Sequence, residues 1–173
     1  WNTLGSQIDG SSGSEFGHSV SLSSDGTILA VGAYLDNSST GYVRIYQYNG
    51  TSWNTLGSQI DGSSDSEFGY SVSISSDGTI LAIGAPHHNN SDLGYVKIYK
   101  YDGSSWNIMS VNSSINDPVD NEDAIVGTSG SYFGFSVSLS EDGTILAVGA
   151  HRHGGNLRTG YVKTYQYNGT SWN

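Results

Sequence analysis

A twelve-residue phrase, W-N-T-L-G-S-Q-I-D-G-S-S, opens the chain at Trp1 and returns intact at Trp53. The likeness runs on past it. S-E-F-G recurs around Phe16 and Phe68, followed each time by S-V-S, S-S-D-G-T-I-L-A, G-A and G-Y-V. A Tyr-rich run then ends in Ser-Trp-Asn. A third copy opens at Trp106 and keeps F-G at Phe133, S-V-S-L-S, E-D-G-T-I-L-A-V-G-A and G-Y-V. Trp1, Trp53, Trp106 and Trp172 mark units of about fifty residues, the last longer by about a dozen, nearly all of them between Trp106 and Tyr132. Periods of this size belong to propeller blades and exceed most helical repeats.

Within a unit the periodicity is that of strands. Gly17 to Ser23 alternates apolar residues with serine, which predicts one buried face and one lined by hydroxyls. Asp25-Gly26 is a hairpin signal, repeated at Asp77-Gly78 and Asp142-Gly143. Thr27 to Ala33 is apolar on both faces, as a strand between two layers should be. Tyr42 to Tyr48 alternates, Asn49-Gly50 signals a second hairpin, and Ser52 to Ile60 reads as a fourth, more polar strand. No stretch carries a helical apolar stripe. The expected fold is all-β: three four-stranded antiparallel propeller-type blades, inner strands buried and outer strands at a rim.

The ordered set F-G-x-S-V-S, D-G-T-I-L-A-V-G-A and G-Y-V, present three times, resembles the FG-GAP repeat of integrin α-subunit β-propellers. The resemblance implies a β-propeller on an extracellular adhesion or surface protein. One departure matters. Calcium-binding members carry a D-x-D-x-D-G-like loop, whereas this chain has S-S-D-G, S-S-D-G and S-E-D-G. Those loops are too short and too poor in carboxylates to supply the six to eight oxygens that Ca²⁺ takes. The family's calcium sites are therefore not expected here, and no cofactor is expected.

Propellers close with about four to eight blades, so three leave a gap. The phase of the repeat assigns residues 1–12 to an outer strand completing a preceding or last blade, 13–64 to blade 1 and 65–115 to blade 2. Residues 116–173 form blade 3, with an acidic insertion near its start and its outer strand missing. The Trp1 to Asp9 segment, with Trp1, Leu4 and Ile8, is the candidate assembly strand. It would be met by continuing chain, by copies of itself in a closed ring, or by copies in an open stack. The start without Met or leader fits a mature product or a piece of something longer.

Composition narrows the partners. Six basic against sixteen acidic side chains give a net charge of −10, which opposes nucleic acid and anionic membrane surfaces. There is no Cys, so disulfide scaffolds and Cys-ligated zinc are excluded. No apolar run reaches the roughly 18 residues of a membrane helix. Twelve Tyr, four Trp and four Phe distinguish the chain from a disordered acidic tail.

Four sets of residues are candidates for chemistry. His87, His88, His151 and His153 lie in equivalent loops of the second and third units and, with Asp92, form a set suited to a transition metal, against the plainer reading of solvated polar loops. His18 aligns with Tyr70 and Phe135, a packing position for a ring. Asp117, Asp120, Glu122 and Asp123 crowd the insertion; they could hold Ca²⁺ or form a solvated acidic loop, since their spacing matches no EF-hand. Sequons occur at Asn37, Asn49, Asn89, Asn112 and Asn168, all in predicted turns or loops. Asn49 and Asn168, in equivalent N-G-T turns, are the foremost glycosylation candidates.

The recurring rings (Phe16, Phe68, Phe133, Tyr46, Tyr99, Tyr165, Trp53, Trp106) could stack on sugars, but one phase in every unit argues for structural pegs. Catalysis has no support: no nucleophile elbow, phosphate loop or zinc-hydrolase helix occurs. Arg44, Arg152 and Arg158 are scattered over different strands and loops. The sequence thus reads as a non-enzymatic extracellular structural repeat protein, its blades assembling by edge-strand completion into an array or filament. The alternative is an adhesion or lectin-like module of a closed propeller, recognising a protein or glycan.

Overall fold

The structure, a computed structural model, describes residues 1–88, 92–112, 123–152 and 159–173, without the side chain of Asn37. Blade 1 contains β1 (Ser19–Leu22), β2 (Ile28–Ala33), β3 (Tyr42–Tyr48), β4 (Trp53–Thr55) and β5 (Ile60–Asp61). A single helical turn, α1 (Asp36–Ser39), lies between β2 and β3. Blade 2 repeats this with β6 (Ser71–Ile74), β7 (Ile80–Ala85), β8 (Tyr95–Tyr101), β9 (Trp106–Ile108) and β10 (Ile125–Val126). Blade 3 has β11 (Phe133–Leu139), β12 (Ile145–Ala150) and β13 (Tyr161–Gln166). All strand pairs within the sheets are antiparallel, so the molecule is three consecutive meanders.

The fourth strand of the first two meanders comes in two halves. β4 pairs with the far half of β3 (Tyr46↔Thr55) and β5 with its near half (Val43↔Ile60). In blade 2, β9 and β10 divide β8 in the same way, at Tyr99↔Ile108 and Val96↔Ile125. The acidic insertion therefore interrupts the outer strand of blade 2, and Ile125–Val126 belong to that sheet. Sequence phasing set the boundary earlier because a two-residue return to β8 has no periodicity to reveal it. Blade 3 ends at β13, beyond which Trp172 makes isolated bridges to Tyr167 and Val111.

A hydroxyl relay shapes each first hairpin. The Ser23 hydroxyl donates to the Asp25 carboxylate (2.7 Å) and accepts the Ile28 N–H (2.9 Å), while the Thr27 N–H reaches the same carboxylate (2.9 Å). Ser75, Asp77, Thr79 and Ile80 repeat this, as do Ser140, Asp142, Thr144 and Ile145. These hydrogen bonds favour the ionised carboxyl. The hydroxyls of Ser23 and Ser140 chiefly hold Asp25 and Asp142 below the usual carboxylate range. At Asp77 burial pushes upward, but Ser75 and Thr79 outweigh it. The D-G aspartates are committed to turn formation.

The core lies between blades. Ile28, Val43 and Ile45 of blade 1 share one apolar cluster with Val72, Leu81 and Ile83 of blade 2. Ala82, Val96 and Ile98, on the other side of blade 2, share a second with Phe133, Leu146 and Val148 of blade 3. Each fully buried aliphatic side chain contributes about 1.5–3 kcal/mol of transfer free energy, so stacking of sheets rather than any single sheet holds the chain together.

Candidate assembly surfaces and the loop end

The two joints between blades use the same atoms. The Ser19 hydroxyl donates to the Gly69 carbonyl (2.7 Å), and the Ser71 hydroxyl donates to that of Gly134 (2.7 Å). Each carbonyl rests on a glycine of the preceding blade: a Cβ at Gly32 would overlap the Gly69 oxygen, and one at Gly84 the Gly134 oxygen. Gly69 and Gly134 both hold φ +86, a conformation costly for other residues. Ser21 accepts the Ile74 N–H (3.1 Å), and Ser73 that of Leu139 (2.9 Å). The Ser24 N–H reaches the Ser76 carbonyl and the Ser76 N–H that of Glu141. F-G, S-V-S and G-A are thus the two halves of one joint. The alternating serines were legible as a polar face; that they form the blade contact was not, because the partner is a backbone carbonyl some fifty residues away.

At the two ends of the stack this joint is half built. Val43 and Val96 are 0% exposed, whereas their counterpart Val162 is 70% exposed. Ser136, Gly149 and Val162 line an open cavity of about 190 Å³. At the other end Val20 and Leu22 are 62% and 55% exposed, against 9% and 7% for Val72 and Ile74.

The candidate assembly strand forms no strand here. It nevertheless lies where an outer strand would. The Leu4 carbonyl accepts the Trp53 indole N–H (3.0 Å), as the Leu56 carbonyl in β4's continuation accepts that of Trp106 (3.0 Å). Gln7 donates to Asp9 just as Gln59 does to Asp61. The side chains of Trp1 and Leu4 are exposed and Ile8 is half-buried. Trp172 is fully buried, and its indole nitrogen has no partner among the described residues.

The loops after β2, β7 and β12 gather rings and charges at one end. His18 packs on Tyr34 and Tyr70, Tyr70 on Phe135, Phe135 on His151, and His151 on Tyr132 (centroids 4.1–5.2 Å). His87 faces Asp92 through Nδ1 (2.9 Å) and Glu67 through Nε2 (3.5 Å). Burial raises the Glu67 carboxyl, His87 opposing and Asp92 adding to the effect. Tyr132 hydrogen-bonds Asp92, which raises its phenol, and Arg152 lies over its ring.

His88 is buried against Tyr95. His153 lies outside the described residues. Among the described residues no group of three or more His, Asp or Glu is gathered to hold a metal: the two nitrogens of His87 address separate carboxylates on opposite sides of the ring. Asp117, Asp120 and Glu122 also lie outside the described residues, and Asp123 accepts the Val111 N–H (3.0 Å).

The amide oxygens of Asn49 and Asn168 each accept two backbone N–H groups of their own turn (2.9 Å), with the residues exposed. Asn112 instead donates its amide to Asn173 (2.7 Å). The Asn37 side chain and Asn89 lie outside the described set. Phe68 and Phe133 are completely buried, and Tyr46, Tyr99 and Tyr165 nearly so, burial pushing the Tyr165 phenol up to about 12. Phe16, Trp53 and Trp106 are partly covered. Arg44 is bound to Gln59 over Tyr42, and Arg152 to Tyr132; Arg158 is outside the described residues.

Comparison with known proteins follows the same lines. The FG-GAP repeat pattern matches residues 7–46 and 59–99. Among solved structures the chain is similar to Sqt1 of Saccharomyces cerevisiae, with a TM-score of 0.57 and 15% identity over 94% of this chain and 34% of Sqt1. It is also similar to TolB from Acinetobacter baumannii, with a TM-score of 0.49 and 16% identity over 93% of this chain and 32% of TolB. The chain spans about a third of the length of either. The likeness to Sqt1 supports the propeller-type arrangement of blades and nothing finer. No curated protein matches the sequence.

Proposed function

We propose that this chain, which carries FG-GAP repeats, is a non-enzymatic extracellular structural module whose blades continue into a longer array by completing one another's edges. One observation carries the reading. The third sheet stops at β13, while the Trp1 to Asp9 segment lies on blade 1 as the outer strand of blade 1 lies on blade 2. A sheet edge is a template for another strand, and completing it satisfies a row of main-chain groups. Trp1, Leu4 and Ile8 would come from a neighbouring copy or continuing polypeptide. In this reading function resides in length and stiffness, and glycans on Asn49 and Asn168 would stand at the exposed β3–β4 turn and its counterpart after β13. The test is light scattering and electron microscopy of native material: elongated assemblies are expected, and discrete single particles alone would overturn it. Glycopeptide mapping of protein secreted from eukaryotic cells should find sugar on Asn49 and Asn168 and not on Asn112.

A second reading, a binding module of a closed propeller for a protein or glycan, is favoured by the ring ladder and the Glu67–His87–Asp92 cluster at one end. A glycan-array signal lost on replacing the loops that carry His87 and His151 would decide for it.

A further inference from the structure

We infer that the outward face of blade 3 is a docking site for blade 1 of a second copy, which delivers the Gly17 carbonyl to the Ser136 hydroxyl over Gly149. This rests on the array reading and names its contact. The receiving half repeats known parts: Ser136, Ser138 and Gly149 occupy the places of Ser19, Ser21 and Gly32, and of Ser71, Ser73 and Gly84. In the two internal joints those serines donate to a Gly carbonyl and accept a strand N–H, and the glycine is covered by the next blade. At Gly149 an added Cβ would meet only Ser136.

The delivering half is equally specific. Gly17 holds φ +91, matching Gly69 and Gly134, so the turn is set before contact. Yet an added Cβ at Gly17 would meet nothing within 4 Å, whereas one at Gly69 would meet the Tyr42 carbonyl and Val43, and one at Gly134 the Tyr95 carbonyl. Leu22 stands where Ile74 and Leu139 donate to the serines. Seating it would cover Val162, Ile145, Val20 and Leu22 together, four large exposed apolar side chains of these two faces. The incoming Trp1–Asn2 duplicates Trp172–Asn173, already bridged to Tyr167, so the added outer strand seats from Thr3 onward. Each copy carries −10, so salt should strengthen association by screening repulsion between copies.

The test uses Val162→Glu and Leu22→Glu, each on one face only and each at a side chain exposed in a single copy, so that folding is spared. Val162→Ser and Leu22→Ser serve if either Glu variant melts early by circular dichroism. Analytical ultracentrifugation over a concentration series should show wild-type protein self-associating and each variant weakened about tenfold or more, the effect of roughly 1.4 kcal/mol. Each variant keeps one good face, so their mixture should form a one-to-one dimer and nothing larger. Wild-type assemblies that persist in both variants, or a mixture that gives no dimer, would overturn the docking site and leave the array reading standing. A wild-type chain that stays monomeric at every concentration and salt would remove both.

Discussion

Val96 and Val162 occupy one place in two blades of nearly the same sequence, yet one is sealed and the other lies in solvent. The pairing of their strands is alike: Val96 faces Gly84 and Val162 faces Gly149. What differs is whether another sheet follows. Blade 2 is covered on both sides and blade 3 on one. Burial is therefore not encoded within a unit; it is conferred by the neighbour, as expected of architectures in which each repeat contacts only the adjacent ones.

Paired substitutions sharpen this contrast. The largest effect is expected for Val96→Asp, which places an unpaired charge between blades 2 and 3 and should cost about 4 kcal/mol or more, against about 0.5 kcal/mol or less for Val162→Asp; urea midpoints of the two variants measure it. Phe133→Ala should cost about 3–5 kcal/mol, since the ring is wholly enclosed, and partly covered Phe16 should lose clearly less. Gly84→Ala should cost about 1–3 kcal/mol because its Cβ meets a backbone oxygen that cannot turn away. Gly149→Ala meets a serine hydroxyl that can, and equal thermal melts for the two would break the comparison.

Smaller effects follow at the indoles and the turns. Trp106→Phe should lose about 1 kcal/mol with its hydrogen bond to Leu56, whereas Trp172→Phe gives up no described hydrogen bond and should cost about 1–3 kcal/mol through the cavity left in a fully enclosed site, both read from urea midpoints. The depressed carboxyls of Asp25, Asp77 and Asp142 contribute stability that is fully present above their unfolded value near 3.8 and is lost as pH falls through the lower folded value. Melts should thus be flat down to about pH 4 and decline below it. Replacing Ser23, Ser75 and Ser140 by Ala brings the folded values back toward the unfolded one, so the decline should become shallower while its onset stays near pH 4.

Much of this was written plainly in the chain. The period, the strands over Thr27 to Ala33 and Tyr42 to Tyr48 and the D-G and N-G turns follow from local residue chemistry, which the structure keeps. The roles of Ser19, Gly32 and Gly69 were illegible because a glycine under a distant carbonyl has no signature at short range. The return of Ile125–Val126 to β8 was hidden for a related reason: its pairing partner is read from the first blade's register, not from two apolar residues. The loop histidines suggested convergence by alignment, but aligned loops fix only where the backbone emerges. His88 then packs on Tyr95, while His87 and His151 meet only through the Tyr132 ring that both of them touch.

The split outer strand carries one more consequence. β9 and β10 bind β8 in the register that β4 and β5 use on β3, although the connecting stretch is far longer in blade 2. Length at that point is decoupled from the architecture, because both halves are anchored independently to the same neighbour. The rim is consequently a splice point: foreign sequence inserted between Leu56 and Ile60 of blade 1 should be displayed at the periphery while the stack beneath it keeps its geometry.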